Sequence, residues 1–380
     1  MIDLSALRPR FPTLAKKVYL SSGSYGLLST DVEKAYHAYL ADRIAHGADW
    51  GDWLGRYEEI RKSVACLINS TADEVALPSS VSAGINAIAS ALSFSEGRDK
   101  VVLSNFEFPT SAQIWHAQAP RGARIEHVSE GQDGYIPVEH FAELIDDRTK
   151  IVSISHVCYR NGAKLEVEKI VEIAKRQGAL VILDCYQSIG TEVVDVKKLG
   201  VDFAVGGMMK YLLGSAGLGF LYVREGLLTD LLPTASGWYA QTDFGAMDIF
   251  ANTPSPTARR FEAGTPAFPV LYAVEAGLNI IHEVGASAIG SYLQDLTGRC
   301  IDRLSGAGWH VVTPRSDRRR GPMVAIRSKD ADQLVAKLAE RDIVTSCRDG
   351  NVRAGFHFYN NDVDVDRLIA ALELNSELRA

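Results

Sequence analysis

Three short apolar runs lie between Ala179 and Val223: ALVILD (179–184), DFAVGG (202–207) and GFLYV (219–223). Runs of this length, rich in β-branched residues and lacking polar alternation, suit strands buried on both faces of a helix-covered sheet. Ligands of such sheets gather beyond the strands' carboxyl ends. Asp184 closes the first run, and Lys210 follows the second after Met208 and Met209. An acid and a lysine at neighbouring strand ends are what pyridoxal phosphate asks of a protein. The lysine condenses with its aldehyde and the acid pairs with its pyridine nitrogen. Taken singly, an aspartate at a strand end caps a turn and a lysine after an apolar run is a solvated charge. The rest of the chain must decide.

Strand and helix patterns alternate over residues 75–225. Helical 80–92 leads to strand 100–105 and a helix through 111–117; strand 124–128 leads to helix 138–145; strand 150–157 leads to helix 166–178. In the last helix Val167, Ile170, Val171 and Ala174 fall on one face. This alternation predicts an α/β fold with a mostly parallel central sheet between helices. The chain's 380 residues exceed the roughly 250–300 at which a single core stops growing. Beyond about residue 230 the texture changes. TPSPTARRFEAGTPAFP (253–269) reads as an ordered loop, followed by helices over 270–285 and 293–304. A small α+β unit ends the chain, with strands 309–313, 323–327, 342–346 and 351–356 and helices 331–340 and 363–372. The expected organisation is an N-terminal segment (1–20) packing with the small domain, a large cofactor-binding domain (21–255) and a small C-terminal α+β domain (256–380).

Net charge is −7 with no basic domain, so nucleic acid is not an expected partner. Arg315, Arg318, Arg319 and Arg320, between Pro314 and Pro322, read as a solvated turn. The five cysteines are scattered without CxxC spacing. They predict neither a disulfide framework nor a metal site, and suit a reducing cytoplasm. No run approaches the roughly 20 apolar residues of a membrane span, and the first residues lack a signal-peptide core. A cytoplasmic protein without membrane contact is expected.

Four segments carry a family likeness: FEFPTS (106–111), SHVCYRNG (155–162), LDCYQSIG (183–190) with GGMMKYLLGSAGLGFLYV (206–223), and RRFEAGTPAF (259–268). In this order and spacing the chain resembles the class V aminotransferase family of fold-type I pyridoxal-phosphate enzymes. That group includes cysteine desulfurases of the selenocysteine-lyase type, kynureninases and isopenicillin-N-epimerase-like proteins. The likeness runs from VYLSSGSYG (18–26) to VRAGFHFYNNDVDVDRL (352–368). It implies that Lys210 forms the Schiff base and Asp184 pairs with the pyridine nitrogen. It also implies that Gln187 bonds the ring oxygen and Phe108 stacks on the ring. Val81 and Ser82 would receive the phosphate at a helix start, with Ser82 also capping the helix. Thr265 matches a residue that reaches the phosphate from a partner subunit, which implies a homodimer with composite sites. Arg353 matches the clamp for the α-carboxylate of a small amino-acid substrate, and Tyr159 and Asn161 line a neighbouring loop. No metal is implied.

The chain departs from its relatives just before the lysine. They carry polar phosphate ligands there, whereas this chain has Gly207, Met208 and Met209. Water or Trp238, whose SGWY context is similar to a kynureninase tryptophan's, is the expected replacement.

Desulfurases need a thiolate on a mobile loop well upstream of the carboxylate-binding arginine. Here the nearby cysteine is Cys347, with only five residues between it and Arg353. Cys158 and Cys185 read as buried, inert thiols. Kynureninase likeness is greater in FPT, YR, GW and CRDGNVR, but Ser111 and Gln187 stand where that enzyme has an acid and a histidine. The expected reaction is side-chain elimination of the C–S lyase kind on an external aldimine, without a persulfide cysteine. Transamination is the alternative, followed by kynureninase-like hydrolysis, epimerisation, or a catalytically inactive binding protein.

Overall fold

The computed structural model describes residues 4–95 and 97–380; the expected N-terminal segment therefore has residues 1–3 outside the described residues. The chain opens with β1 (Val18–Tyr19), α1 (Thr30–His46) and α2 (Trp50–Leu67), then β2 (Val75–Ala76) and α3 (Val81–Ala91). Next come β3 (Lys100–Ser104), α4 (Pro109–His116), β4 (Arg124–Val128), α5 (Val138–Leu144), β5 (Thr149–Ser155) and α6 (Val167–Arg176). The segment with the three apolar runs becomes β6 (Leu180–Asp184), α7 (Val196–Leu199), β7 (Phe203–Gly207) and β8 (Gly219–Val223). Two long helices follow, α8 (Phe268–Val284) and α9 (Ala286–Gly306). The end of the chain holds β9 (Met323–Arg327), α10 (Ala331–Ala339), β10 (Ile343–Val344), β11 (Ser346–Arg348), β12 (Asn351–Gly355) and α11 (Asp362–Glu373).

Seven strands form the central sheet in the order β2-β8-β7-β6-β5-β3-β4. From β4 through β7 every pairing is parallel, with Ser155 opposite Asp184 and Asp184 opposite Val205. Every residue of β3, β7 and β8 is buried, as strands covered on both faces must be. The GFLYV strand runs antiparallel to β7, Gly207 facing Gly219, so the third run is buried but reversed. An apolar run carries no direction; the short connection from β7 to β8 imposes it, because parallel neighbours need a long crossover.

A second sheet has the order β11-β12-β9, all antiparallel, and β1 pairs in parallel with β10. Arg8 reinforces this junction by donating from both Nη atoms to the Asp364 carboxylate at 2.9 Å. Two expectations need correction here. WHVVT forms no strand and contributes only the bridge Val311–Ile326. The stretch 342–346 splits between two sheets, β10 and the start of β11. The arginine cluster is corrected too: Arg320 is buried, donating to Thr297 Oγ1 and the Gln294 carbonyl, so it is an anchor and not a solvated charge. None of the described helices is long and apolar enough to cross a membrane.

Candidate active site

Strands β3, β5, β6 and β7 bring their carboxyl ends to one edge of the sheet, and the loops beyond them wall a cavity of about 270 Å³. Phe108 comes from the loop after β3 and Tyr159 from the loop after β5. Asp184, Tyr186 and Gln187 come from the end of β6, and Lys210 follows β7. The start of α3 closes the far side with Ser80, Val81 and Ser82. Asp184 and Lys210 thus share one cavity.

Asp184 is buried, and its Oδ1 accepts a 2.8 Å hydrogen bond from the Tyr186 backbone N–H. Burial pushes the carboxyl up, while that N–H and the Lys210 charge pull it back. Its second oxygen has no hydrogen-bond partner among the described residues, so a cationic group entering the cavity finds an acceptor in place. Lys210 Nζ lies 4.2 Å from the centre of the Tyr186 ring and 5.7 Å from that of Phe108. Burial lowers its pKa from 10.5 to about 8; Asp184 opposes the shift and Arg353 adds to it. A lysine lowered this far carries a larger neutral fraction near physiological pH than an exposed one, and the neutral form is the amine nucleophile.

Phe108 is 45 % exposed, which removes it from the core and puts its face on the cavity wall. It meets Tyr159 edge-on at 5.1 Å. Beneath it Glu107 is buried, held by the hydroxyls of Ser104 (3.0 Å) and Ser153 (3.1 Å), its carboxyl pushed up to about 7 by burial.

At the α3 end, Ser80 is the cap: its Oγ accepts from the Ala83 N–H at 3.1 Å. That corrects the expectation that Ser82 caps the helix. Ser82 instead pairs with Thr110 through their hydroxyls at 2.8 Å. Hydroxyls and the free N–H groups of the first turn make this end suited to an anion.

Arg353, on β12, donates from Nη1 to the Tyr159 carbonyl (2.6 Å) and from Nη2 to Ser346 Oγ (2.9 Å). It is buried, its Nε has no partner, and no ion pair engages it among the described residues. Burial, then Arg348, lowers its pKa. A buried guanidinium lacking a counter-anion is costly unless an anion arrives. Gln187 donates from Nε2 to the Gly23 carbonyl at 3.0 Å and lines the cavity.

Four expected residues are not among those lining the cavity: Arg353, which meets it through the Tyr159 carbonyl, and Asn161, Trp238 and Thr265. Asn161 donates to the Gly134 carbonyl (2.8 Å) and accepts from the Ala163 N–H (2.9 Å), so both ends of its amide serve the backbone. Trp238 lines a different cleft of about 440 Å³. Thr265 lines a neighbouring cavity of about 460 Å³ that shares Ser79, Gly217 and Leu218 with the first. Sequence reasoning missed Tyr186, Thr110 and Glu107. Tyr186 stands in the turn after β6, two residues beyond Asp184, and its N–H donates to the Asp184 carboxylate.

Pyridoxal phosphate meets each of these features with a complementary one. It has a basic ring nitrogen for the open carboxylate oxygen of Asp184, an aldehyde for a lysine near neutrality, a flat ring for Phe108, and a phosphate for the hydroxyl-lined helix start. Fold and cavity together define a fold-type I pyridoxal-phosphate enzyme. The family model for aminotransferase class-V matches residues 31–368, and the chain belongs to that family. It is 33 % identical over 362 residues to an uncharacterized aminotransferase, YcbU, of Bacillus subtilis, covering 95 % of each chain. It is 30 % identical to a kynureninase of Deinococcus radiodurans, covering 98 % of this chain and 95 % of that one. A cysteine desulfurase from Thermococcus onnurineus superposes with a TM-score of 0.90 at 24 % identity, covering 99 % of both chains. The cofactor of the present chain is pyridoxal 5'-phosphate, and its family acts on amino-acid substrates.

Proposed function

We propose that this chain removes a side-chain substituent from a small α-amino acid, in the manner of a C–S lyase, without a persulfide cysteine. The observation that carries this reading is the placement of Cys347. Its Sγ donates to Asp332 Oδ1 at 2.9 Å, on a strand that turns directly through Asp349 and Gly350 into β12. Burial and the Asp332 carboxylate raise its pKa, which disfavours the thiolate. Nor does it line the Lys210 cavity.

When bound, the cofactor supplies an electron sink for the pair left behind when a bond to Cα breaks. Lys210 would hold it and Asp184 would keep its ring nitrogen protonated. Gln187 would bond the ring oxygen, Phe108 would cover one face, and Val81 and Ser82 would receive the phosphate. Arg353 takes the substrate carboxylate, with Tyr159 beside it, and so fixes which bond at Cα faces Lys210. Once the substrate's amine has taken its place, the freed Lys210 Nζ would accept the Cα proton. The substituent at Cβ departs with its bonding electrons, and its replacement proton can come from the lysine ammonium.

Amino-group transfer is the second reading, favoured by the 33 % identity to a protein described as an aminotransferase. Incubation of the holoenzyme with an amino-acid panel separates the two. Elimination from cysteine, cystine or a similar β-substituted substrate should release pyruvate and ammonia without any oxo acid, and Cys347→Ser should leave that rate within about two-fold. Turnover only in the presence of an oxo acid would mark a transaminase and overturn elimination.

The same reading makes the protein a homodimer in which the partner's copy of the Thr265 loop completes each site. Thr265 is exposed, and so are Ile249 at 85 % and Phe250 at 93 %, adjacent apolar side chains that burial against a partner would stabilise. Sedimentation should give a dimer at micromolar concentration; a monomer would rule out composite sites.

A further inference from the structure

Gly207 ends β7 three residues before Lys210, and the space its side chain would need is already filled. A Cβ placed there would lie 2.1 Å from Tyr186 Cζ and 2.2 Å from Tyr186 Oη. Tyr186 and Gly207 therefore form a matched pair: the phenol tip occupies the side-chain position of residue 207. Across the ladder Gly207 faces Gly219, and a Cβ on Gly219 would meet the Val81 backbone nitrogen at 3.1 Å. Paired residues project to the same face of a sheet, roughly 5 Å apart. The Tyr186 hydroxyl and the first N–H of α3 thus sit over adjacent strands on one face.

We propose that the Tyr186 hydroxyl donates to the cofactor's phosphate, replacing the polar side chain that position 207 cannot carry. The inference rests on the cavity reading above, with the phosphate at the start of α3. The hydroxyl has no hydrogen-bond partner among the described residues, and Tyr186 lines the same cavity as Ser82 and Thr110. Burial, reinforced by the Asp184 charge, raises the phenol's pKa, so it stays protonated and serves as a donor. The run Gly207-Met208-Met209 then marks a relocated phosphate ligand, and the site has no need of Trp238 from the same chain.

The full chain, stripped of cofactor, is titrated with pyridoxal phosphate and separately with pyridoxal, which lacks the phosphate, by quenching of tryptophan fluorescence. Tyr186→Phe keeps the ring and its fit against Gly207. It should weaken pyridoxal phosphate binding by roughly 10- to 100-fold, the range for a hydrogen bond to a charged group, and leave pyridoxal binding within about two-fold. Tyr186→Ala should lose the same preference for the phosphorylated form, and Tyr186→Ala/Gly207→Ser should recover part of it. Unchanged pyridoxal phosphate affinity in Tyr186→Phe, or equal losses for both ligands, would overturn the inference. So would failure of the double variant to regain any preference. Wild-type protein showing no preference for the phosphorylated form would overturn the underlying cavity reading as well. A wild-type preference retained in Tyr186→Phe overturns the Tyr186 assignment alone.

Discussion

Lys210→Ala should lower turnover by roughly 10³-fold or more and abolish the visible absorbance of the cofactor–lysine Schiff base, while the protein remains folded. The side chain projects into a cavity and makes no hydrogen bond that the fold depends on, so its loss should spare stability. A pH dependence accompanies this. Burial brings the amine to about 8. Below that pH it is mostly protonated and cannot attack an aldehyde; above it the neutral form predominates. The rate at which cofactor-free protein captures pyridoxal phosphate should therefore rise through pH 8 and level off beyond it. Arg353→Ala removes a neighbouring cation that helps depress the amine, so it should move the midpoint upward. Stopped-flow absorbance across pH 6–10 (about that span, chosen to bracket the lysine range) checks both. A flat profile would mean that Lys210 is not the attacking group.

Arg353→Lys should reduce kcat/KM nearly as much as Arg353→Ala, by about 10²-fold or more. A hydrogen bond to a charged group is worth about 1.5–3 kcal/mol, and a planar guanidinium makes two to a carboxylate in fixed geometry. Lysine presents a single ammonium on a flexible stem and cannot reproduce the fork. The guanidinium is already oriented by the Tyr159 carbonyl at 2.6 Å from Nη1 and Ser346 at 2.9 Å from Nη2. Amines lacking the α-carboxylate should be correspondingly poor substrates. Steady-state kinetics on both variants, with an amino acid and its decarboxylated analogue, measure this. Efficiency within a few-fold of wild type would return Arg353 to a structural role.

The sheet and the Asp184–Lys210 pair were legible because burial on both faces writes itself as unbroken apolar runs, and because charges at the ends of such runs are conspicuous. The direction of Gly219–Val223 was not legible, since an apolar run reads the same in either sense. The helix Thr30–His46 left little pattern, as Val32 is its one buried residue. Strand-like patterning misled at residues 309–313, where Trp309 is buried by packing and Val311 alone makes a bridge. Arg320 was misread because composition cannot tell a solvated arginine from one whose donors are met by Thr297 and backbone carbonyls. Tyr186 escaped for a different reason. Its meaning depends on Gly207, a residue 21 positions later in the sequence that only strand pairing brings beside it.

Borohydride reduction of the holoenzyme, followed by peptide mapping, tests the central claim most directly, because it fixes the cofactor covalently to whichever amine holds it. The pyridoxyl label should fall on the peptide containing Gly207-Met208-Met209-Lys210, at Lys210. A label on another lysine, or on none, would contradict the assignment of this cavity.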